Sequence, residues 1–510
     1  MNKRIIPLLL VIPLITACPG GEQDIPEMDE NYTPVLPEYK NKNAGEMKKD
    51  GGHAYLDIYE ISDFHGAVAS GDKEIGINKL SSWMDKKREN NPGGTVLISG
   101  GDMWQGSADS NLTKGNLVTY AMNVMNFDSM TYGNHEFDWT TKWINNNKGR
   151  ARFPFLGANI VNKGTTTVAD IAQPSTVIQR DSYKIGIIGT IGDNIKNTIM
   201  ATAVQDYDFA NEITTVKAEA ARLRTEQACD IVIWSSHNDA ASLMTKASGQ
   251  DLGVDAVFGG HSHTSLAQLS GDGIPFVQTE AYSHSIGHTQ LKIDLSSKEV
   301  SVNTYETLAN PVNEASAYAE DQDVKGIYDQ YLEKFITPVK TKRVGEISDK
   351  LEIKSTLGNF AVHAMKEELL RHNEFSSYNI TSSWHNRNGG VRKDIQKGEV
   401  LYGQVYESFP FDNEIVILKM KGGELLNKFF NGNNNVAVWH SVNKTAVDTA
   451  SDYYVLTTDF LYYNADFYAG VDAEITFTGL TVRDAVANQI KQESTVEVSN
   501  YKSSLPEYKL

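Results

Sequence analysis

Gly133-Asn134-His135-Glu136-Phe137-Asp138, taken with Gly259-Gly260-His261-Ser262-His263, decides how this chain is read. Both stretches place histidine close behind glycine, and the second follows the apolar run Val254-Asp255-Ala256-Val257-Phe258. Three more segments share this layout. Asp63-Phe64-His65-Gly66 follows the alternating run 55–61, Gly101-Asp102 follows Thr95-Val96-Leu97-Ile98-Ser99, and Ser236-His237-Asn238 follows Ile231-Val232-Ile233-Trp234. Short apolar or alternating runs of this kind read as strands. Helical stretches such as 213–225 lie between them, and alternation of strand and helix predicts a layered α/β domain. In such sheets ligands bind beyond the carboxyl ends of the strands, so five polar segments far apart in the chain can converge on one site.

A lone Asp-x-His or Gly-Asp is a common turn. Five such segments, in this order and all at strand ends, form a donor set instead. Imidazole, carboxylate and carboxamide oxygens suit Zn, Mn, Fe or Co. No cysteine lies in the set, which argues against a structural thiolate zinc site. Hydrolysis of a phosphate ester at neutral pH needs an activated water. Two divalent ions roughly 3.5–4 Å apart lower its pKa and stabilise the attacking and leaving oxygens. Asp102 suits the carboxylate that bridges them.

The rest of the chain sets bounds on this reading. Its 510 residues call for more than one domain. A net charge of -18 repels nucleic-acid backbone and anionic membrane surface, so no nucleic-acid partner is expected. It also repels a phosphorylated substrate, so local positive charge must come from metal ions or a few arginines. Lys3 and Arg4 precede a short apolar stretch ending in Ile15-Thr16-Ala17-Cys18. This is the pattern of a bacterial lipoprotein signal over 1–18, with lipid on Cys18 as the expected attachment to the membrane. With only Cys18 and Cys229 in the chain, no disulfide framework is expected. Residues 19–53 are rich in Gly, Pro, Asn and charged residues, and predict a flexible tether. The first domain spans 54–308. A connector spans 309–343, with a helix over 315–336 ended by Thr337-Pro338. A second α/β domain spans 344–510, with its own helix over 357–371 and a glycine-rich loop at Asn388-Gly389-Gly390.

In order, the motifs D-x-H, G-D, G-N-H-E, H and G-H-S-H resemble the calcineurin-like metallophosphoesterases. Gly133–Asp138 is further similar to the bacterial 5'-nucleotidase / UDP-sugar hydrolase / 2',3'-cyclic phosphodiesterase family. The resemblance implies a four-layer sandwich followed by a C-terminal substrate-binding domain; a monomer is expected. It implies that Asp63, His65, Asp102 and His263 hold one metal, and Asp102, Asn134, His237 and His261 the other. It makes His135 and Asp138 the catalytic dyad. Gly389-Gly390-Val391-Arg392 resembles the family's G-G-I-R loop, which gives Arg392 a substrate phosphate or carboxylate. Phe409-Pro410-Phe411-Asp412-Asn413 and the Phe460…Asp466 spacing resemble its base-binding segments. Phe411, Asn413, Phe460 and Asp466 are therefore expected at the substrate, with the two aromatics sandwiching a base. The chain departs from the pattern in two places. Asn464-Ala465 stand where the family has two glycines, and Lys350 and Lys354 stand where it carries arginines. The expected function is a 5'-nucleotidase at the bacterial cell envelope. A cyclic-nucleotide phosphodiesterase or UDP-sugar hydrolase is the alternative on the same scaffold. A surface receptor or adhesin with a vestigial metal site is the alternative of another class.

Overall fold

The computed structural model describes residues 28–199, 203–386, 390–430, 436–463 and 470–508. Two sheets pack face to face in the first domain. One runs in the order Val300–Ala309, Ser285–Asp294, His53–Ile61, Thr95–Ser99, Ser129–Thr131 and Phe155–Leu156, with Lys49–Asp50 added beside His53–Ile61. The other runs Leu266–Leu269, Pro275–Gln278, Ala256–Gly259, Ile231–His237, Tyr183–Ile191 and Ser175–Arg180. Between them lies a dry layer of Leu56, Ile58, Val96, Ile98, Ile185, Ile187, Ile231, Ile233 and Phe258. Strands buried on both faces read as near-continuous apolar runs, which is why these segments stood out in the sequence. Helices cover both outer faces, giving the expected four layers.

The central strands of each sheet are parallel, with Ile61 opposite Ser99 and Ser235 opposite Phe258. Their carboxyl ends therefore point the same way and deliver the polar segments to one edge. The helix predicted over 213–225 is Glu212–Thr225, capped by the Asn211 side chain on Thr214 N–H at 3.0 Å.

The second domain has a five-stranded sheet, in the order Val436–His440, Ile380–Asn386, Asp452–Thr458, Glu414–Lys421 and Ala473–Thr481. Helices Thr356–Arg371 and Val482–Glu493 pack on it. Ala108 of the first domain is part of this domain's core cluster.

Two expectations need correction. Over its described part, the segment 19–53 is no flexible tether. Met28 and Met47 are buried, Tyr32 sets its ring against Tyr331 and Phe335, and Lys42 bonds Asp85 at 2.6 Å and Asp321 at 2.9 Å. A few widely spaced anchors fix a segment whose average composition is polar. The connector is not one helix either. Helix Gln322–Tyr331 passes into a π turn, Leu332–Ile336, and then Thr337–Lys340. Pro338 opens that last helix instead of ending the one before it, because its missing N–H is an orphan in a first turn.

Candidate metal centre

Each ligand segment leaves a buried strand and turns at once. Asp63, His65, Asp102, His261 and His263 all adopt left-handed backbone, with φ of 52, 49, 53, 70 and 58°. Such a conformation costs about 1–3 kcal/mol per non-glycine residue and persists where the surroundings over-determine it. Here they do. Asp63 N–H donates to Gly101 O at 2.9 Å, His65 N–H to Asp102 O at 2.9 Å, and His261 N–H to both Asp63 carboxylate oxygens at 3.1 Å. Gly133 must be glycine, because a Cβ there would meet Asp102 Oδ1 at 2.2 Å. Glu136 binds the loops together, accepting N–H groups from Gly133 at 2.7 Å, Asp102 at 2.8 Å and Met103 at 2.9 Å. Burial, helped by the Asp102 charge, raises its carboxyl to about 7.

Two donor groups result. In the first, His65 Nε2 lies 3.0 Å from His263 Nε2, which lies 3.3 Å from Asp63 Oδ1. In the second, Asn134 Oδ1 lies 2.9 Å from His261 Nδ1 and 3.2 Å from His237 Nε2. Asp102 Oδ2 reaches both, 3.1 Å from His237 Nε2 and 4.0 Å from His65 Nε2. His65 Nδ1–H donates to Gln105 O at 2.9 Å and His237 Nδ1–H to Gly100 O at 2.8 Å, which turns each Nε2 to the cluster. Burial lowers His65 to about 3. Burial and the neighbouring His237 charge lower His261 to about 4. These imidazoles are neutral, the form that ligates metal. Burial opposes a charge on His237 too, but Asp102 outweighs it and lifts that ring to about 10. The arrangement fits a pair of divalent cations. Two imidazole lone pairs at 3.0 Å repel unless a proton or cation lies between them, and buried carboxylates need counter-charge.

His135 lies beside this centre. Its N–H donates to Asp102 Oδ1 at 2.8 Å, and its ring Nδ1–H to Asp138 Oδ2 at 2.8 Å. Burial works against an imidazolium, but Asp138 and Asp102 outweigh it and raise the ring to about 9. Burial raises the Asp138 carboxyl, against the pull of His135. The second domain brings Phe411 to the same place. Its ring is 5.8 Å from that of His135 and inclined by 30°, with the Arg392 guanidinium 5.2 Å over its face.

Asn413 follows on the same loop, its carbonyl taking Val482 N–H at 3.1 Å. Phe460 packs half-buried against the Trp384 cluster of the second domain. Asp466 and Gly389 lie outside the described residues, as does Cys18. Lys350 is engaged by Glu352 and Asp394, both at 3.2 Å. Glu136 sits inside a quoted motif, yet its bonding to three loop amides was not legible from sequence. Tyr282 was missed as well. Its ring is 5.5 Å from His65, on backbone with φ of 59°.

Comparisons with known proteins match both domains. The calcineurin-like phosphoesterase model matches residues 56–265, and the 5'-nucleotidase C-terminal domain model matches 337–437. An apyrase from Tabanus yao is 26% identical over 428 residues, covering 75% of this chain and 76% of that protein. The human 5'-nucleotidase is 26% identical over 388 residues, covering 69% of this chain and 66% of that protein. The crystal structure of a 5'-nucleotidase precursor from Thermus thermophilus superposes with a TM-score of 0.70 at 19% identity, over 87% of this chain and 97% of that one. With two family models, the fold and the donor set in agreement, the chain belongs to the calcineurin-like metallophosphoesterases that carry a 5'-nucleotidase C-terminal domain, and is a phosphoric ester hydrolase.

Proposed function

We propose that the chain is a 5'-nucleotidase that releases nucleoside and phosphate from a nucleoside monophosphate, outside the cytoplasm. The observation that carries this is the position of His135. It lies between the clustered donors and the Phe411 ring, so an ester held by its phosphate at the donors extends past His135 towards an aromatic platform. The names of the apyrase and of the human 5'-nucleotidase support the substrate class.

Asp63, His65, Asp102 and His263 would hold one divalent ion, and Asp102, Asn134, His237 and His261 the other; bound there, such a pair neutralises phosphate charge and supplies a nucleophile at neutral pH. His135 is the general acid. Its Nε2 proton serves the leaving oxygen, and Asp138 on Nδ1 orients the ring and keeps it charged. Arg392 offers positive charge in a chain of net charge -18. The family resemblance would put Phe411, Phe460, Asn413 and Asp466 on the base side of the site; of these, Phe411 is the one seen against His135. Lipid attachment at Cys18 belongs to the same proposal. Among the described residues, no helix is long and apolar enough to cross a membrane.

The test is hydrolysis by protein lacking residues 1–18, with Mn or Zn and with chelator, read as released phosphate for the monoesters and as chromatographed monophosphate products for the diesters. The substrates are AMP, UDP-glucose, 2',3'-cyclic AMP and an aryl phosphate. Metal-dependent release from AMP supports the reading. Preference for UDP-glucose or the cyclic nucleotide moves the function to that branch. Release from the aryl phosphate alone removes the base-binding roles. No release from any of them favours a receptor with a vestigial site.

A further inference from the structure

The loop Phe409-Pro410-Phe411-Asp412 is fastened from both sides. Behind it is Arg483, in helix Val482–Glu493 and only 6% exposed. Its Nη1 donates to Phe409 O at 3.2 Å and Phe411 O at 3.4 Å, its Nη2 bonds the Asp412 carboxylate, and its guanidinium lies 3.9 Å over the Tyr406 ring. In front are residues of the first domain. Asn111 Nδ2 donates to Pro410 O at 2.7 Å, Gln105 Nε2 to the same oxygen at 3.3 Å, and Lys114 Nζ to Asp412 Oδ2 at 3.2 Å. Gln105 is also the residue whose carbonyl receives the His65 ring N–H. The loop that carries Phe411 is thus two hydrogen bonds from a donor of the metal centre.

A buried guanidinium is costly unless its charge and its fork are matched. A well-packed apolar side chain would fill the same space without that cost. Arg483 gives its two terminal nitrogens to the loop, reaching two carbonyls and a carboxylate within four consecutive residues, while its Nε is buried without a partner among the described residues. Lysine, a point charge, cannot reproduce this fork. We propose that Arg483 is a positioning residue of the substrate site. It holds the 409–412 loop in the conformation that sets Phe411 on His135, while Asn111 and Lys114 lock that setting to the metallophosphoesterase domain. This rests on the nucleotidase reading only in taking Phe411 as a base platform.

The experiment compares wild type with Arg483→Met, Arg483→Lys and Lys114→Ala, measuring KM and kcat on AMP and on p-nitrophenyl phosphate. Arg483→Met is expected to raise KM for AMP about tenfold, the scale of one lost base stack, with a smaller change on the aryl phosphate. Arg483→Lys recovers part of the loss, and Lys114→Ala moves KM the same way by less. Equal losses on both substrates, or none, overturn the proposal. Should Arg483→Met not fold, Lys114→Ala and Asp412→Asn carry the test, because both alter partly exposed side chains. Should wild type ignore AMP, the nucleotidase reading fails and a Phe411→Trp reporter decides the inference. A fastened loop restrains the indole, so adding Asp412→Asn or Arg483→Met to the reporter lowers its fluorescence anisotropy; unchanged anisotropy sinks the clamp.

Discussion

The metal centre and the aromatic loop meet at His135 but are held by different means. The donors sit on the ends of buried parallel strands, and their strained backbone is imposed by neighbouring loops and by Glu136. The Phe411 loop joins a helix end to strand Glu414–Lys421, and side chains hold its middle, Arg483 on one side and Asn111 and Lys114 on the other. Under the proposed function, the chemistry is built into the sheet and recognition is added by the second domain through a few polar contacts. Damage to the first should stop turnover, and damage to the second should change which substrates bind.

The largest effect is expected from Asp102→Ala. Both donor groups lose their shared carboxylate, so turnover falls by on the order of 10⁴-fold. Metal content, measured by mass spectrometry, drops with it. Two ions retained per chain would contradict the bridging position. His135→Ala is expected to lower kcat by about 10²–10⁴-fold, the range of a lost general acid, with metal content kept. Loss of metal in that variant would place His135 among the ligands, close as it is to His65 and Asp102.

Phe411→Ala is expected to weaken AMP by about 1–3 kcal/mol in KM and to spare the aryl phosphate. A matching loss on both substrates would show that the loop serves the metal centre instead. The smallest effect concerns acid. Burial works to raise the Asp412 carboxyl, but Arg483 and Lys114 outweigh it and hold it below the usual range. A carboxyl depressed on folding contributes stability above its unfolded value of about 3.9, and loses it as pH falls through the folded one. Melting temperature should therefore decline below about pH 4, and Asp412→Asn should flatten that part of the profile. An identical acid slope in the variant would remove Asp412 from the clamp.

The metal half was legible because each of its signals is local. An apolar run, a glycine and a donor lie within a few residues, and parallel strands guarantee that their carboxyl ends meet. Gly133-Asn134-His135-Glu136 even contains the residue that binds the loops, although nothing in a linear motif shows that a glutamate accepts three backbone N–H groups. The strap over residues 28–53 was misread because composition averages over its few anchors, of which Lys42 between Asp85 and Asp321 is one.

By itself the sequence determined the layered α/β class, which follows from periodicity, and showed that five polar segments lie at strand ends; the pairing of His135 with Asp138 was implied only by the family resemblance. Tertiary structure alone decided that Phe411 meets His135, that Arg483 holds its loop, and that Gln105 reaches Pro410 across 305 positions of sequence. Hydrogen-bond forks and ring contacts between separate domains leave no periodic trace in a chain. They exist only once two cores have formed and fixed the distance between them.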